Sequence, residues 1–202
     1  ALPHHTADDV ESVYSDTYTS LVPGMFIGSW QQQTATQSVS LDGNNTLKCS
    51  NFNYVGIEFG GPELDATDME YLHLDIYPLS SFTINVYPIC RKNDESVNDQ
   101  LKKPINLIAN QWNSIDIPMS DFVGLNASRI FQFKFDNGNG ETFYLDNLYF
   151  YKNGSSSGIS SIETHTQDNH AWYNLQGQRM NDGAGSLPKG VYIHNGKKIL
   201  VK

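Results

Sequence analysis

"FYLDNLYFYKNGSSSG", residues 143–158, decides how the rest of the chain is read. Seven aromatic and aliphatic residues surround a polar pair, Asp146-Asn147, and the run then stops in a glycine-serine tract. A short apolar run bounded by turn residues reads as a buried strand. The tract after it is small, polar and without periodicity, which reads as a linker. Residues 141–151 are therefore expected to form the last strand of a β domain, and 153–168 the connection to something smaller.

Upstream, the same punctuation repeats. Strands are expected near 11–16, 25–30, 36–40, 46–50, 54–60, 70–77, 82–90, 104–108, 112–117 and 129–136. Between them lie turn-rich separators such as "LDGNN", "GGPELDATD", "RKNDESVND" and "DNGNG". No window carries a helical stripe, and "MSDFVGL" (119–125) is the one candidate for a turn of helix. Many short strands of this kind imply a β-sandwich over residues 9–152, after a tail at 1–8. Downstream, residues 169–202 hold "AWYNL", "GVYIH", the turn Asn195-Gly196 and "KKILVK". Asn-Gly between alternating residues signals a hairpin. A unit of about thirty residues buries little on its own.

Composition limits the function classes. There are eleven Tyr, ten Phe and three Trp, with only 17% charged residues. The net charge of -9 and the lack of a basic stripe argue against nucleic acid. No stretch approaches a membrane span. Cys49 and Cys90 allow either one disulfide, if the protein is exported, or two buried free thiols.

Period two sorts the faces. The core sets are Leu72, Leu74 and Ile76; Phe82, Ile84 and Val86; Phe131, Phe133 and Phe135; and Val55, Ile57 and Phe59. Opposite them stand Tyr71, His73, Asp75 and Tyr77; Thr83, Asn85, Tyr87 and Arg91; Gln132, Lys134 and Asp136; and Tyr54 and Glu58. Such outer faces are solvated in any sandwich, but these are rich in Tyr, amides and charge. Sugar recognition uses that mixture: rings cover the C–H face of a pyranose, while amides, carboxylates and Arg bond its hydroxyls. If the four strands share one concave sheet, they form a glycan groove. Trp30, followed by three Gln in "GSWQQQTATQ", is a candidate for its rim. Trp112 is read as structural. The candidate contact set is Trp30, Tyr54, Glu58, Asn85, Tyr87, Arg91, Gln132, Lys134 and Asp136.

The pair Asp146-Asn147 has two readings: a polar pair bonding a neighbouring loop, or a calcium site. Ca²⁺ takes six to eight oxygens. Glu11 and Asp16 in the first strand, and Asp42, Asn44 and Asn45 in the "LDGNNTLK" loop, could converge with Asp146 at one edge. Spacing alone makes this a weak signal.

No nucleophile elbow, zinc helix motif, phosphate loop or Cys-x-x-Cys is present. A glycosidase would need two carboxylates, with Glu58, Asp136 and Asp75 as candidates. Hydrogen bonding to sugar, or pairing with Lys134 and Arg91, is the better use of these acids. His4-His5 reads as disordered tail rather than a metal site, and His73 as a polar surface or groove residue.

The ordered series "DDVESVYSDTYT", "LDGNNTLKCSNFNYVGIEFG", "MEYLHLDIYP", "WNSIDIPMSDF", "IFQFKFD" and "FYLDNLYF" resembles the carbohydrate-binding modules attached to polysaccharide-degrading enzymes of Bacteroidetes-type bacteria. The resemblance implies an all-β, two-sheet jelly-roll sandwich with a small C-terminal β-hairpin unit, binding polysaccharide without catalysis. It implies a structural Ca²⁺ held by Asp16, Asn44 and Asp146, with Gly43, Thr46 and Leu47 in pattern. It loosely matches Trp30 and Tyr54 to binding positions. The segments "YNLQGQRM" and "LPKGVYIHNGKKILVK" resemble the end of a C-terminal secretion-sorting domain, and so imply an exported, secreted or cell-surface protein. A monomer carrying a covalently attached catalytic domain is expected. The competing expectations are a glycan-independent adhesin or spacer sandwich, and a small glycoside hydrolase.

Overall fold

In the computed structural model, Asn147 adopts φ +50°, a left-handed conformation that Asn tolerates better than most residues. Strand pairing shifts register between Asp146 and Tyr149. Asn147 is thus the extra residue of a β-bulge, which reverses the alternation of facing. Phe143 and Leu145 before it, and Leu148 and Phe150 after it, are all buried in the core. The polar pair interrupts the apolar run because the chain changes parity there.

The structure describes residues 3–20, 26–27, 32–41, 43–154, 171–175, 177–180, 187–194 and 197–201. The first strands are Val10–Tyr14 (β1), Phe26–Ile27 (β2), Ala35–Leu41 (β3), Asn44–Phe52 (β4) and Val55–Glu58 (β5). Then come Tyr71–Pro78 (β6), Phe82–Arg91 (β7), Val97–Asn98 (β8), Lys103–Leu107 (β9) and Asn113–Pro118 (β10). Ile130–Asp136 (β11) and Glu141–Tyr151 (β12) complete the sandwich strands. Residues 119–121 make one turn of 3-10 helix within the stretch that suggested it.

One sheet runs β10-β6-β12-β4-β3, and the other β2-β5-β11-β7-β8 with β9 also on β7. Strands β4 and β1 take successive stretches of the same edge of β12. Aromatic contacts across the interior join the two sheets. Phe133 of β11 stacks on Phe150 of β12 at 5.7 Å, and Phe82 of β7 meets Phe143 of β12 at 6.2 Å. This is the expected all-β sandwich.

Gly138 shows how tightly the β11–β12 turn sits. A Cβ there would fall 2.4 Å from the Phe52 carbonyl oxygen, so only glycine fits. Cys49 and Cys90 are both free and buried, one in each sheet. Burial pushes the Cys49 thiol up to about 12.

Three expectations change. First, Phe131 is not core: a bulge between Ile130 and Gln132 puts Ile130 inside and leaves Phe131 half-buried. Second, β6 belongs to the other sheet, so the outer faces sorted above do not all share one surface. His73 and Asp75 on that strand are buried, whereas an outer face, solvated or lining the groove, was expected. Third, the His5 ring stacks on Tyr151 at 3.9 Å, and the His5 carbonyl accepts a hydrogen bond from Tyr18. The segment read as a disordered tail therefore packs on the sheet.

The chain divides into two compact units, 1–154 and 155–202. In the second unit, Trp172–Tyr173 (β13), Arg179–Met180 (β14), Gly190–His194 (β15) and Lys197–Val201 (β16) form one antiparallel sheet in the order β14-β13-β15-β16. Trp172 stacks on His194 at 4.4 Å, and Tyr192 is buried with its hydroxyl donating to the Pro188 carbonyl. The turn Asn195-Gly196 and most of the linker lie outside the described residues.

Candidate functional site

The outer face of β5, β11 and β7 is a small grid set by register. Gln132 pairs with Glu58 on one side and Ile89 on the other, Lys134 with Gly56 and Tyr87, and Asp136 with Asn85. Tyr54 stands just ahead of β5. Strand alternation points these positions away from the core. Gly56 adds no side chain, so the surface dips beside Lys134.

Two recesses result. One, of about 370 Å³, is walled by Tyr54, Glu58, Ile89, Phe131, Gln132 and Lys134, with Gly56 in its lining and Val97 and Asp99 at its side. The other, of about 560 Å³, is lined by Asn53, Tyr54, Asn85, Tyr87, Lys134, Asp136 and Asn137. Tyr54 and Lys134 border both. The first recess is ring-lined and aliphatic at its base, the second amide-rich. Together they offer a ring face beside several donors and acceptors, an arrangement suited to a chain of polyhydroxylated rings.

Hydrogen bonding organises the polar recess. Asn85 Nδ2 donates to Asp136 Oδ1 at 2.7 Å, and the Tyr87 hydroxyl donates to the same oxygen at 3.3 Å. Lys134 Nζ lies 3.8 Å from Asp136 Oδ2 and 3.9 Å from the centre of the Tyr87 ring. Burial, then the adjacent Asp136 carboxylate, pushes the Tyr87 phenol up to about 12, so it stays a neutral donor. Tyr87 is only 8% exposed and its ring is capped by the lysine. It positions Lys134 and is not an open stacking platform. Tyr54 is the half-buried ring that faces both recesses.

Arg91 stands apart and lines neither recess. Its Nε lies 2.9 Å from Glu63, and its guanidinium sits 4.7 Å over the Phe131 ring. Glu63 also binds Arg129, which bonds Glu95 in turn. Arg91 therefore props Phe131 at the end of the grid. Trp30 lies outside the described residues. Sequence reading missed Asn53, Ile89, Val97, Asp99, Phe131 and Asn137. For Phe131 a signal existed: apolar residues at both 130 and 131, ahead of 133 and 135, break strict alternation. Val97 and Asp99 sit in a stretch read only as a separator.

Glu58 and Asp136 occupy opposite corners of the grid. They lie four residues apart along β11 and one strand across, which places their Cα atoms about 14 Å apart. Asp75 is in the other sheet, where it faces His73 and Asn147.

The residues proposed for calcium do converge. Asn44 Nδ2 donates to Asp146 Oδ2 at 2.5 Å, the Asn147 amide donates to Asp146 Oδ1 at 2.7 Å, and Asp16 Oδ2 accepts from the Asn45 amide at 3.2 Å. Burial raises the Asp146 carboxyl above its ordinary range. The two amide donors oppose that rise, and the charges of Asp16 and Asp75 add to it. A buried carboxylate short of positive charge, near a second carboxylate, would suit a hard cation with Asn44 turned to present its Oδ1 in place of its Nδ2. Among the described residues there is no cluster of three or more His, Cys, Asp or Glu side chains able to hold a metal, so amide and backbone oxygens would have to complete the shell. Glu11 is not part of it and lies with Asp8, Asp65, Asp68 and Lys152. Asp42 lies outside the described residues.

No family model matches the chain, and no curated protein matches it. Solved structures do. A family 11 carbohydrate-binding module from Clostridium thermocellum, in complex with a β-1,3-1,4-mixed-linked tetrasaccharide, superposes with a TM-score of 0.53 at 19% identity, covering 71% of this chain and 94% of that one.

The chain has the fold of carbohydrate-binding modules.

The family 11 module of the cellulosomal cellulase Lic26A-Cel5E of the same organism gives 0.54 at 18% identity, over 70% of this chain and 94% of that one. The family 30 module of the cellulosomal cellulase Cel9D-Cel44B gives 0.50 at 12%, over 66% and 92%. Each match takes in nearly the whole module and about two thirds of this chain, leaving room here for the second unit. Identities this low speak for the fold alone.

Proposed function

We propose that the sandwich is a non-catalytic module that binds a β-linked polysaccharide across β5, β11 and β7, and so holds an attached enzyme or cell surface at its substrate. The observation that carries this reading is the pair of adjoining recesses sharing Tyr54 and Lys134, one ring-lined and one amide-lined. Sugars run over the Tyr54 ring. Gln132, Glu58 and the Asn85–Asp136–Lys134 group bond their hydroxyls. The recesses are open, so much of the bound sugar stays hydrated and single-site affinity is modest.

The same reading includes a structural Ca²⁺ held through Asp16, Asn44 and Asp146, export from a bacterium of the Bacteroidetes type, a monomeric state, and a second unit derived from a sorting domain. The resemblance in "YNLQGQRM" and "LPKGVYIHNGKKILVK" supports the last of these. Affinity electrophoresis against a panel of soluble polysaccharides tests the function. Retardation by one glycan class that Tyr54→Ala abolishes is the expected result. Absence of retardation by every glycan would mean a spacer sandwich.

A further inference from the structure

The opposite sheet carries a second feature that the groove does not use. Tyr77 of β6 pairs directly with Tyr144 of β12, Tyr144 with Lys48 of β4, and Lys48 with Gln37 of β3. Trp112 immediately precedes Asn113, whose partner is Ile76, so it stands level with Tyr77. Five side chains thus form one straight file across the strands. The Tyr77 ring meets Trp112 at 5.7 Å and Tyr144 at 6.2 Å, edge to face in both cases, and Lys48 Nζ lies 5.9 Å from the Tyr144 ring centre. Trp112, Tyr77, Tyr144 and Lys48 are half-buried and Gln37 is exposed.

Part of this face is covered by the chain itself: Tyr149 is 1% exposed and His73 7%, beneath Tyr18 and His5. The file lies outside that cover.

We infer that the file Trp112–Tyr77–Tyr144–Lys48–Gln37 is a second glycan-contact strip, taking a β-linked chain laid flat across the strands. It takes its ligand class from the function proposed above. Strand spacing sets one side chain about every 4.8 Å, close to the pitch at which pyranose rings follow one another in an extended β-linked chain. Rings at one end cover C–H faces. Lys48 and Gln37 at the other supply donors and an acceptor for hydroxyls. A module with sites on opposite sheets holds two chains at once, which suits packed insoluble polysaccharide.

The test measures retention on an insoluble mixed-linkage β-glucan, and oligosaccharide stoichiometry by calorimetry, on the full chain. Wild type is compared with Tyr54→Ala, with Trp112→Ala/Tyr144→Ala, and with all three changes together. Thermal midpoints are recorded for each, and Tyr144→Leu replaces Tyr144→Ala if the midpoint falls. The strip predicts two oligosaccharides per molecule, falling to one in the strip variant, and retention lost completely only in the triple variant. A stoichiometry of one already in wild type, with retention and stoichiometry unchanged in the strip variant, would overturn it; if Tyr54→Ala then abolishes binding, the groove reading stands alone. Retention lost in the strip variant and kept in Tyr54→Ala would support the strip and sink the groove. No retention by any form contradicts both.

Discussion

His73 is held between two acids. Its Nδ1 lies 2.7 Å from Asp116 Oδ1, and its Nε2 lies 3.5 Å from Asp75 Oδ1. Burial works against the charged imidazole, but the two carboxylates outweigh it and hold the group above its ordinary value. A folded pKa above the unfolded value of about 6.5 means that protonation favours the fold. The stabilisation is complete below about pH 6.5 and is lost as pH rises through the folded value. His73→Gln should therefore lower the thermal midpoint more at pH 5.5 than at pH 8.5, as calorimetric scans at the two pH values would show. An equal loss at both would mean the ring acts only by packing on Tyr149, which it stacks at 4.6 Å. On the outer face of β7, Tyr87 is 8% exposed and its hydroxyl and ring hold Asp136 and Lys134. Tyr87→Ala should destabilise by about 3 kcal/mol, as large-to-small changes at buried rings do, and urea denaturation would read it.

At the scale of elements, the bulge at Asn147 joins sequence to fold. Its amide Nδ2 donates to Asp75 Oδ2, and its Oδ1 accepts from Ser15. Asn147→Val meets left-handed backbone and loses both bonds, so a loss of about 3 kcal/mol is expected. Asn147→Gly keeps the backbone conformation and should cost less. If the two variants cost the same, the bulge stores no conformational requirement. Strand existence was legible because turn residues and period two are local signals. The core sets on β5, β6 and β7 emerged for the same reason. Facing failed where a bulge inserts one residue, at Ile130–Gln132, since parity counted from one end is wrong at the other. The aromatic run around Asp146-Asn147 carried a clue in its changing parity, Phe143 and Leu145 against Leu148 and Phe150. Which sheet a strand joins was not legible: β6 resembles β7 in pattern, yet pairing with β12 places it opposite the groove.

Across the molecule, two long-range arrangements decide the account. Asp16, Asn44 and Asp146 come from three distant segments, and only the resemblance singled them out, because no local motif links them. In the absence of metal, Asp146 bears an ill-compensated charge. Asp146→Asn should then be neutral or mildly stabilising in chelator, and destabilising relative to wild type in millimolar Ca²⁺. A bound ion contributes about 2.7 kcal/mol at a hundred times its Kd. Thermal midpoints that ignore both calcium and the substitution would remove the ion from the account. The groove likewise joins Tyr54, Gln132, Lys134 and Asn85 from three strands. Its residues were legible as outer positions, whereas its depth depends on Gly56 and on Phe131 held by Arg91. The central claim is that this face binds glycan through Tyr54. Its most direct measurement is affinity electrophoresis of wild type and Tyr54→Ala in gels containing soluble β-glycans, with calcium present. The account predicts retardation of wild type by one class of glycan, and at least tenfold weaker retardation of Tyr54→Ala, about 1.4 kcal/mol, at equal stability. Equal migration of the two proteins in every gel would contradict it.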